Sequence, residues 1–260
     1  MKIKYIVVSD LDGTLLDHHT YDFAAAKDAI FKLKQLNIPL ILNSSKTQVE
    51  IQSIRSQIGN TEPFICENGG LVCDLATHSS DIKYLGIPRQ QFLPELAKIK
   101  QKLQLQYQSF AEAEVIDIVS WTGLSPDDAA NALKREATEP LLWQDTPAKL
   151  TEFRAELRKL DLQCVRGGRF HHVMGLFDKA SCFALLKSYY GELWQAEVAI
   201  VALGDSQNDL PMLEQADFAI VIPSAKGTIL KLERDNYFVA SQTAPQGWQE
   251  GINYFLTNYI

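Results

Sequence analysis

The chain has 260 residues, of which 46% are hydrophobic and 22% charged, and its formal net charge is −7. This balance is typical of one large globular domain or two modest ones. The acidic charge disfavours a nucleic-acid-binding surface, and no stretch of the sequence is long and apolar enough to span a membrane, so we expect neither as a partner.

The first 75 residues alternate between predicted strands and helices. Apolar runs predict buried strands over 3–9 and 38–45. Helical spacing of apolar residues indicates helices over 22–37 and 47–59, and "NGG" within 63–75 indicates a hairpin. This β-α-β-α-β order favours a parallel sheet with helices on both faces.

The middle of the chain mixes helices with antiparallel strands. Ser125 is the expected N-cap of one helix, with Pro126 at its first position. The predicted elements are helices over 89–104, 125–138 and 146–161, a strand over 139–144 and a hairpin over 162–175. This is an α+β pattern, and we place a second domain at 86–176.

The C-terminal part returns to alternating elements. They are a helix over 178–193, a strand over 196–205, a helix over 209–216 and a strand over 217–223. The predicted fold is therefore α/β: a Rossmann-like parallel-sheet core domain formed by 1–85 and 177–260, with the α+β domain of 86–176 inserted into it.

Polar motifs follow the ends of the predicted core strands. They are "DLDGT" (10–14), "NSSK" (43–46), Lys179 and "GDSQND" (204–209). The carboxyl ends of parallel strands form one crevice, so Asp10, Asp12, Ser44 and Asp205 should converge there. Ionised carboxylates at the end of a buried strand would repel each other, which indicates a bound cation.

These motifs resemble those of the haloacid dehalogenase-like phosphohydrolases over the whole chain. "DLDGT" resembles their first motif, Ser44 their second, Lys179 their third and "GDSQND" their fourth. The insertion between the second and third motifs resembles their C2-type cap domain. The resemblance implies phosphate-ester hydrolysis that depends on Mg²⁺.

A narrower resemblance is to the mannosyl-3-phosphoglycerate phosphatases. It is carried by "DLDGTLLDHHTYDF", "LNSSKT", "ENGG", "TGLSPDDAANALKREATEP" and "RGGRFHH". Ala137 stands where that family usually has a bulky residue, and His171 where it often has an aromatic one. These departures bear on the substrate rather than on the chemistry.

The reaction assigns roles to the aspartates. Asp10 is the expected nucleophile, which gives an aspartyl-phosphate. The predicted Mg²⁺ ligands are Asp10, the backbone carbonyl of Asp12, and Asp205, while Asp209 orients a metal-bound water. Asp12 is then free to act as general acid on the leaving oxygen and as general base on water.

Other residues are predicted to bind the phosphate. Lys179 would balance the charge of Asp10 and the phosphate, and Ser44 would donate a hydrogen bond, although Ser45 is an alternative to it. Gly13 permits a sharp turn whose amides face the phosphate, and Asn208 completes the predicted set.

Cap residues are candidates for binding the rest of the substrate. "RGGR" at 166–169 (Arg166, Gly167, Gly168, Arg169) is either a solvated turn or an arginine clamp for a substrate carboxylate. Arg135 could meet sugar hydroxyls. His171 and His172 are weaker candidates for lining the site, and Glu67 and Asn68 could contact the cap or the substrate.

The predicted activity is hydrolysis of a small phosphorylated metabolite, with mannosyl-3-phosphoglycerate or its glucosyl counterpart as the narrow candidate. The alternatives are a broad sugar-phosphate phosphatase, a phosphomutase, or a non-catalytic phosphosugar-binding regulator. The four cysteines form no CxxC pair and the N-terminus lacks the apolar run of a signal peptide, so we expect a cytoplasmic protein with reduced thiols.

Overall fold

A computed structural model describes residues 3–75, 82–167 and 169–260 of the chain. Its first part confirms the predicted alternation of strands and helices. The elements are β1 (Ile3–Ser9), α1 (Lys27–Gln35), β2 (Leu40–Asn43), α2 (Gln48–Ile58), β3 (Phe64–Cys66) and β4 (Leu71–Cys73). A capping box of Thr47 and Glu50 starts α2, and Gly59 ends it in the left-handed conformation.

The middle part contains more elements than the sequence predicts. They are β5 (Ile82–Tyr84), α3 (Arg89–Leu103), β6 (Tyr107–Ser109), α4 (Val115–Thr122), α5 (Pro126–Ala132), β7 (Thr138–Trp143), α6 (Pro147–Arg158), β8 (Leu162–Arg166) and β9 (His171–Gly175). The helix predicted over 125–138 is too long, because the amides of residues 136–138 donate to the Glu67 side chain rather than to helical carbonyls.

The last part confirms the predicted return to alternating elements and adds a strand and a helix. The elements are α7 (Phe183–Trp194), β10 (Glu197–Gly204), α8 (Leu210–Gln215), β11 (Phe218–Val221), β12 (Tyr237–Val239) and α9 (Gln246–Tyr259). No helix in the three described ranges is long and apolar enough to cross a bilayer.

The larger sheet has eight strands in the order β12-β11-β10-β1-β2-β3-β4-β5. The strands from β12 to β3 pair in parallel, and β4 pairs antiparallel with both β3 and β5. Val7 of the central strand β1 packs into one apolar cluster, whereas Ile6 and Val8 pack into the other. Both faces of the sheet are therefore buried under apolar layers, as expected for a Rossmann-like α/β core.

The smaller sheet has four antiparallel strands in the order β6-β7-β9-β8. Val173 on one face packs against residues of α3 and α6, such as Phe92 and Phe153. Val165 and Met174 on the opposite face pack with the core of the larger sheet. This second face therefore looks toward the larger sheet. The domain boundaries at 86 and 177 stay a prediction.

Candidate active site

Three aspartates meet at the carboxyl edge of the parallel sheet. Asp10 follows β1 and Asp205 follows β10, and these two strands are neighbours, with Ser9 paired to Leu203. Carboxylate oxygens of Asp10, Asp205 and Asp209 lie within 4.8 Å of one another, and all three residues are buried. The strand ends thus converge as the topology of an open α/β sheet requires.

Lys179 lies inside this cluster. Its Nζ is 2.5 Å from Oδ1 of Asp10 and 2.6 Å from Oδ1 of Asp209. The side chain has no exposed surface. Asn43 at the end of β2 donates to the Lys179 carbonyl over 2.8 Å and so holds the loop that carries the lysine. One buried cation is thereby placed between two of the three carboxylates.

The remaining carboxylate oxygens have defined neighbours. The Thr14 hydroxyl lies 3.2 Å from Oδ2 of Asp10 and 3.1 Å from Oδ1 of Asp205. Oδ2 of Asp209 accepts hydrogen bonds from the amides of Asp205 and Ser206 over 3.1 and 3.0 Å. Asp209 is therefore fixed on both oxygens, whereas Asp10 and Asp205 each keep acceptor capacity toward the shared space.

Burial and mutual repulsion disturb the protonation of this cluster. Burial, followed by the charge of Asp209, raises the pKa of Asp10 to about 7. Burial, followed by the charges of Asp10 and Asp209, raises the pKa of Asp205 to about 8. Burial lowers the pKa of Lys179, but Asp10 and Asp209 outweigh it and the net pKa is raised. The cluster has more carboxylates than nearby cations to balance them.

The donor set fits a hard divalent cation. Carboxylate oxygens from Asp10 and Asp205 approach the same hydroxyl of Thr14, so they face a common space. Mg²⁺ prefers oxygen ligands and is held by one or two carboxylates with several waters. The predicted carboxylate ligands Asp10 and Asp205 are therefore brought together. The amides of Asp205 and Ser206 hold the Asp209 carboxylate beside them, where it can orient a metal-bound water.

Asp12 lies at the same edge but outside the buried cluster. Lys46 forms an ion pair with its Oδ2 over 2.9 Å. Its Oδ1 is buried and has no hydrogen-bond partner among the described residues. Asp12 also lines a cavity of about 230 Å³ together with Asp10 and Asp205. An oxygen without a partner beside the cavity suits a group that exchanges a proton with a substrate.

Gly13 is required here for steric reasons. Its φ is +84°, and a Cβ on it would come within 2.7 Å of Oδ2 of Asp205. Its amide donates to the Leu16 carbonyl over 2.9 Å. The prediction that the Gly13 backbone binds phosphate therefore finds no free amide at this residue, and the glycine instead lets the loop pass close to Asp205.

The polar phosphate-binding candidates lie around the same edge. Ser44 is 1% exposed, and its Oγ accepts from the Lys46 amide over 3.3 Å. Ser45 lines the cavity, and so does Asn208, whose Nδ2 donates to Asn68 over 3.2 Å. Ser44 and Ser45 thus both stand at the end of β2, and their assignment stays a prediction.

The predicted arginine clamp is not at the cavity. Arg166 and Arg169 are exposed, and Arg169 donates to the Trp121 carbonyl. Arg135 donates to the Ser45 carbonyl over 3.2 Å and to Oγ1 of Thr138 over 2.9 Å. None of these arginines is among the described residues that line the cavity.

Other residues of the hairpin reach the cavity instead. Val165, Gly167 and His172 line it from the smaller sheet. Gly168, the fourth member of the predicted clamp, lies outside the described residues. Among the two histidines that the sequence singles out, His172 lines the cavity, whereas His171 faces the ring of Trp143.

Glu67 connects the two sheets. The residue is completely buried, and its Oε2 accepts from the amide and the hydroxyl of Thr138 over 2.8 and 2.7 Å. Its Oε1 accepts from the Glu136 amide over 2.7 Å. Glu67 itself has a φ of 52°. The "ENGG" stretch makes Glu67 a candidate for contacting the cap or the substrate. In the structure, Glu67 contacts residues 136–138 of the predicted cap segment.

The chain resembles a known protein family and several solved structures over most of its length. The family model for haloacid dehalogenase-like hydrolases matches residues 7–237. BT1666 from Bacteroides thetaiotaomicron, described among phosphatases of this superfamily, is 19% identical with a TM-score of 0.70, over 97% of this chain and 95% of that one. The subclass IIB sugar phosphatase BT4131 is 14% identical with a TM-score of 0.67, over 98% of both chains.

A third structure, protein 0175 of Thermoplasma acidophilum, is 19% identical with a TM-score of 0.67, over 98% of both chains. At these identities the structural likeness supports the fold, and the family match covers most of the chain. The four motifs of the sequence lie within or beside the buried carboxylate cluster. The chain belongs to the haloacid dehalogenase-like hydrolases.

Proposed function

We propose that this enzyme is a Mg²⁺-dependent phosphatase that hydrolyses a phosphate monoester through an aspartyl-phosphate on Asp10. The observation that carries the proposal is the cluster of Asp10, Asp205 and Asp209 around the buried ammonium of Lys179. Such a cluster combines a nucleophile, oxygen ligands for a cation and a fixed positive charge, which are the parts that phosphoryl transfer needs. Solved structures of similar fold include proteins described as phosphatases.

The reaction divides into two displacements at phosphorus. A carboxylate oxygen of Asp10 attacks phosphorus while the bond to the leaving oxygen breaks, and Asp12 gives that oxygen a proton. Asp12 then removes a proton from water, which attacks the aspartyl-phosphate and releases phosphate and free Asp10. Lys179 holds Asp10 in place throughout. When bound, Mg²⁺ supplies charge that offsets the phosphate oxygens and the carboxylates.

The narrow candidate substrate is mannosyl-3-phosphoglycerate or its glucosyl counterpart. Its support is the set of sequence stretches that resemble the mannosyl-3-phosphoglycerate phosphatases. A second candidate is a broader sugar-phosphate phosphatase. It is favoured by the position of Arg166 and Arg169, which are exposed, so that the cavity lining among the described residues offers no arginine to a substrate carboxylate.

The deciding experiment is a screen of phosphate release over a panel of phosphorylated metabolites. The panel contains mannosyl-3-phosphoglycerate, glucosyl-3-phosphoglycerate, hexose 6-phosphates, hexose 1-phosphates and p-nitrophenyl phosphate, each with Mg²⁺ and with excess chelator. We expect release with Mg²⁺ only. A ten-fold or greater preference for either glycosyl-3-phosphoglycerate supports the narrow candidate, and similar rates on plain sugar phosphates support the broad one. Transfer of phosphate between two positions of a sugar without release would indicate a mutase.

A further inference from the structure

His172 lies on the face of the smaller sheet that looks toward the carboxylate cluster. It is paired with Pro140 on β7 and with Val165 on β8. Side chains alternate between the two faces of a strand, so His172 and Met174 share one face and His171 and Val173 the other. His172 and Val165 accordingly line the cavity that contains Asp10 and Asp12.

The ring of His172 is not engaged by the protein. The residue is 8% exposed, and its Nδ1 is buried without a hydrogen-bond partner among the described residues. No side-chain hydrogen bond of the described residues reaches Nε2 either. A buried polar group normally has a partner, because leaving it without one costs about 1–3 kcal/mol. The Nδ1 of His171 is unmatched in the same way but does not line the cavity, so the position of His172 on the cavity is what points to a ligand.

The absence of a side chain at Gly167 leaves room for the ring in this position. A Cβ on Gly167 would come within 2.8 Å of Nε2 of His172. The Gly167 amide donates to the Phe170 carbonyl over 2.9 Å, which fixes the turn around the ring. The backbone of Gly167 therefore lies so close to the imidazole of His172 that a side chain at this position would collide with it. Gly167 itself also lines the cavity.

The surroundings of His172 keep the ring neutral. Burial, followed by the nearby charges of Arg135 and His171, lowers the pKa of His172 to about 3. A neutral imidazole donates from one ring nitrogen and accepts at the other. A hydroxyl group both donates and accepts, so it can bond whichever ring nitrogen faces the cavity in either tautomer, whereas a carboxylate can bond only the N–H.

We propose that His172 is a specificity-determining residue that hydrogen-bonds a hydroxyl of the leaving group and so favours a polyhydroxylated substrate over an aryl phosphate. This inference rests on the proposed phosphatase function and adds to it a residue of the smaller sheet that selects the substrate. Asp10 and Asp12 line the part of the cavity where phosphorus would react, and His172 lines the part formed by the smaller sheet, where the leaving group would lie. An aryl phosphate offers no hydroxyl to His172.

The test compares kcat/KM for glucose 6-phosphate, mannosyl-3-phosphoglycerate and p-nitrophenyl phosphate with Mg²⁺. The variants are His172→Leu, which removes both nitrogens, and His172→Gln, which keeps a donor and an acceptor. His171→Leu is the matched control on the opposite face. Circular dichroism and the melting temperature verify that each variant is folded. Gly167→Ala is a second variant for the same test, because its methyl group should displace the His172 ring while the histidine itself is retained.

We expect His172→Leu to lower kcat/KM for the better hydroxylated substrate about 5- to 100-fold, with less than a two-fold change for p-nitrophenyl phosphate. His172→Gln should restore much of the loss, Gly167→Ala should reproduce it, and His171→Leu should leave the ratio of the substrates unchanged. Equal losses on all substrates, or none, would overturn the inference while leaving the phosphatase proposal intact. A wild-type protein that releases phosphate from no member of the metabolite panel would overturn both.

Discussion

The Nζ of Lys179 lies 2.5 Å from Oδ1 of Asp10, and neither side chain has more than a few per cent of its surface in solvent. The same ammonium is 2.6 Å from Asp209. Breaking a buried ion pair by removing one partner typically costs about 3–5 kcal/mol, because an uncompensated charge stays behind. Lys179 therefore both holds the proposed nucleophile and stabilises the carboxylate cluster.

Lys179→Met should lose phosphate release and also lower the free energy of unfolding by about 3–5 kcal/mol. The measurement is urea unfolding in chelator at pH 8, where the cluster carries most negative charge. Lys187→Met is the control, because Lys187 is 40% exposed and pairs with Asp217 on the surface, where an ion pair contributes at most about 1 kcal/mol. Equal effects of the two substitutions would contradict a structural role for the buried pair.

Stability without metal should fall as pH rises. The folded pKa values of Asp10 and Asp205, raised to about 7 and about 8, exceed their value of about 4 in the unfolded chain. Between about pH 4 and pH 8 the folded state therefore binds more protons than the unfolded state, and each further rise in pH within this window lowers stability.

Mg²⁺ competes with these protons, so its stabilising effect should grow over the same range. We expect the difference in melting temperature between Mg²⁺ and chelator to be larger at pH 8 than at pH 6, reaching several degrees at a large excess over Kd. Thermal unfolding at both pH values measures it. The reverse order, or no difference at pH 8, would contradict a metal site on these carboxylates.

Asp12→Ala should impair protonation of the leaving oxygen. A sugar alkoxide is a poor leaving group and needs this proton, whereas p-nitrophenolate leaves without much help. We expect a loss of about 100-fold or more in kcat for a sugar phosphate and a clearly smaller loss for the aryl ester. Steady-state kinetics on both substrates test the role, and identical losses would assign Asp12 to another task.

Glu67→Gln should weaken the link between the two sheets. The carboxylate accepts hydrogen bonds from the amides of residues 136–138, and a glutamine side chain places an NH₂ group against some of these donors. We expect a loss of about 1–3 kcal/mol in the free energy of unfolding. Glu95→Gln on the surface is the control and should change it by less than 0.5 kcal/mol. A result for Glu67→Gln within that control range would refute the link.

The sequence predicts the carboxylate cluster well because topology alone brings it together. Asp10 and Asp205 follow adjacent parallel strands, so their proximity requires only that both strands join one sheet. Arg166 of the predicted clamp does not line the cavity, for an equally local reason. Val165 faces the cavity, and the next residue, Arg166, points to the opposite side of the strand. The register of the β8–β9 hairpin decides which side chains face the cavity, and the composition of the "RGGR" stretch does not reveal that register.

Apart from α9, the elements missed from the sequence are short or lack a clear period. β5, β6 and β12 have three residues each, too few to display alternation. The helix α4 reads "VIDIVSWT" and is rich in β-branched residues, which favour strands. The hydrogen bonds that Glu67 accepts from residues 136–138 join positions about 70 residues apart in the chain, so no local sequence pattern predicts them.

The central claim is that Asp10 is phosphorylated during turnover. The most direct measurement is a single turnover with substrate labelled in the phosphate, quenched in acid within milliseconds, followed by peptide mapping of the protein by mass spectrometry. The account predicts a transient phosphoryl group on the peptide that contains Asp10, absent from folded Asp10→Asn, which should also release no phosphate. Label on another residue, or phosphate release by Asp10→Asn near the wild-type rate, would contradict it.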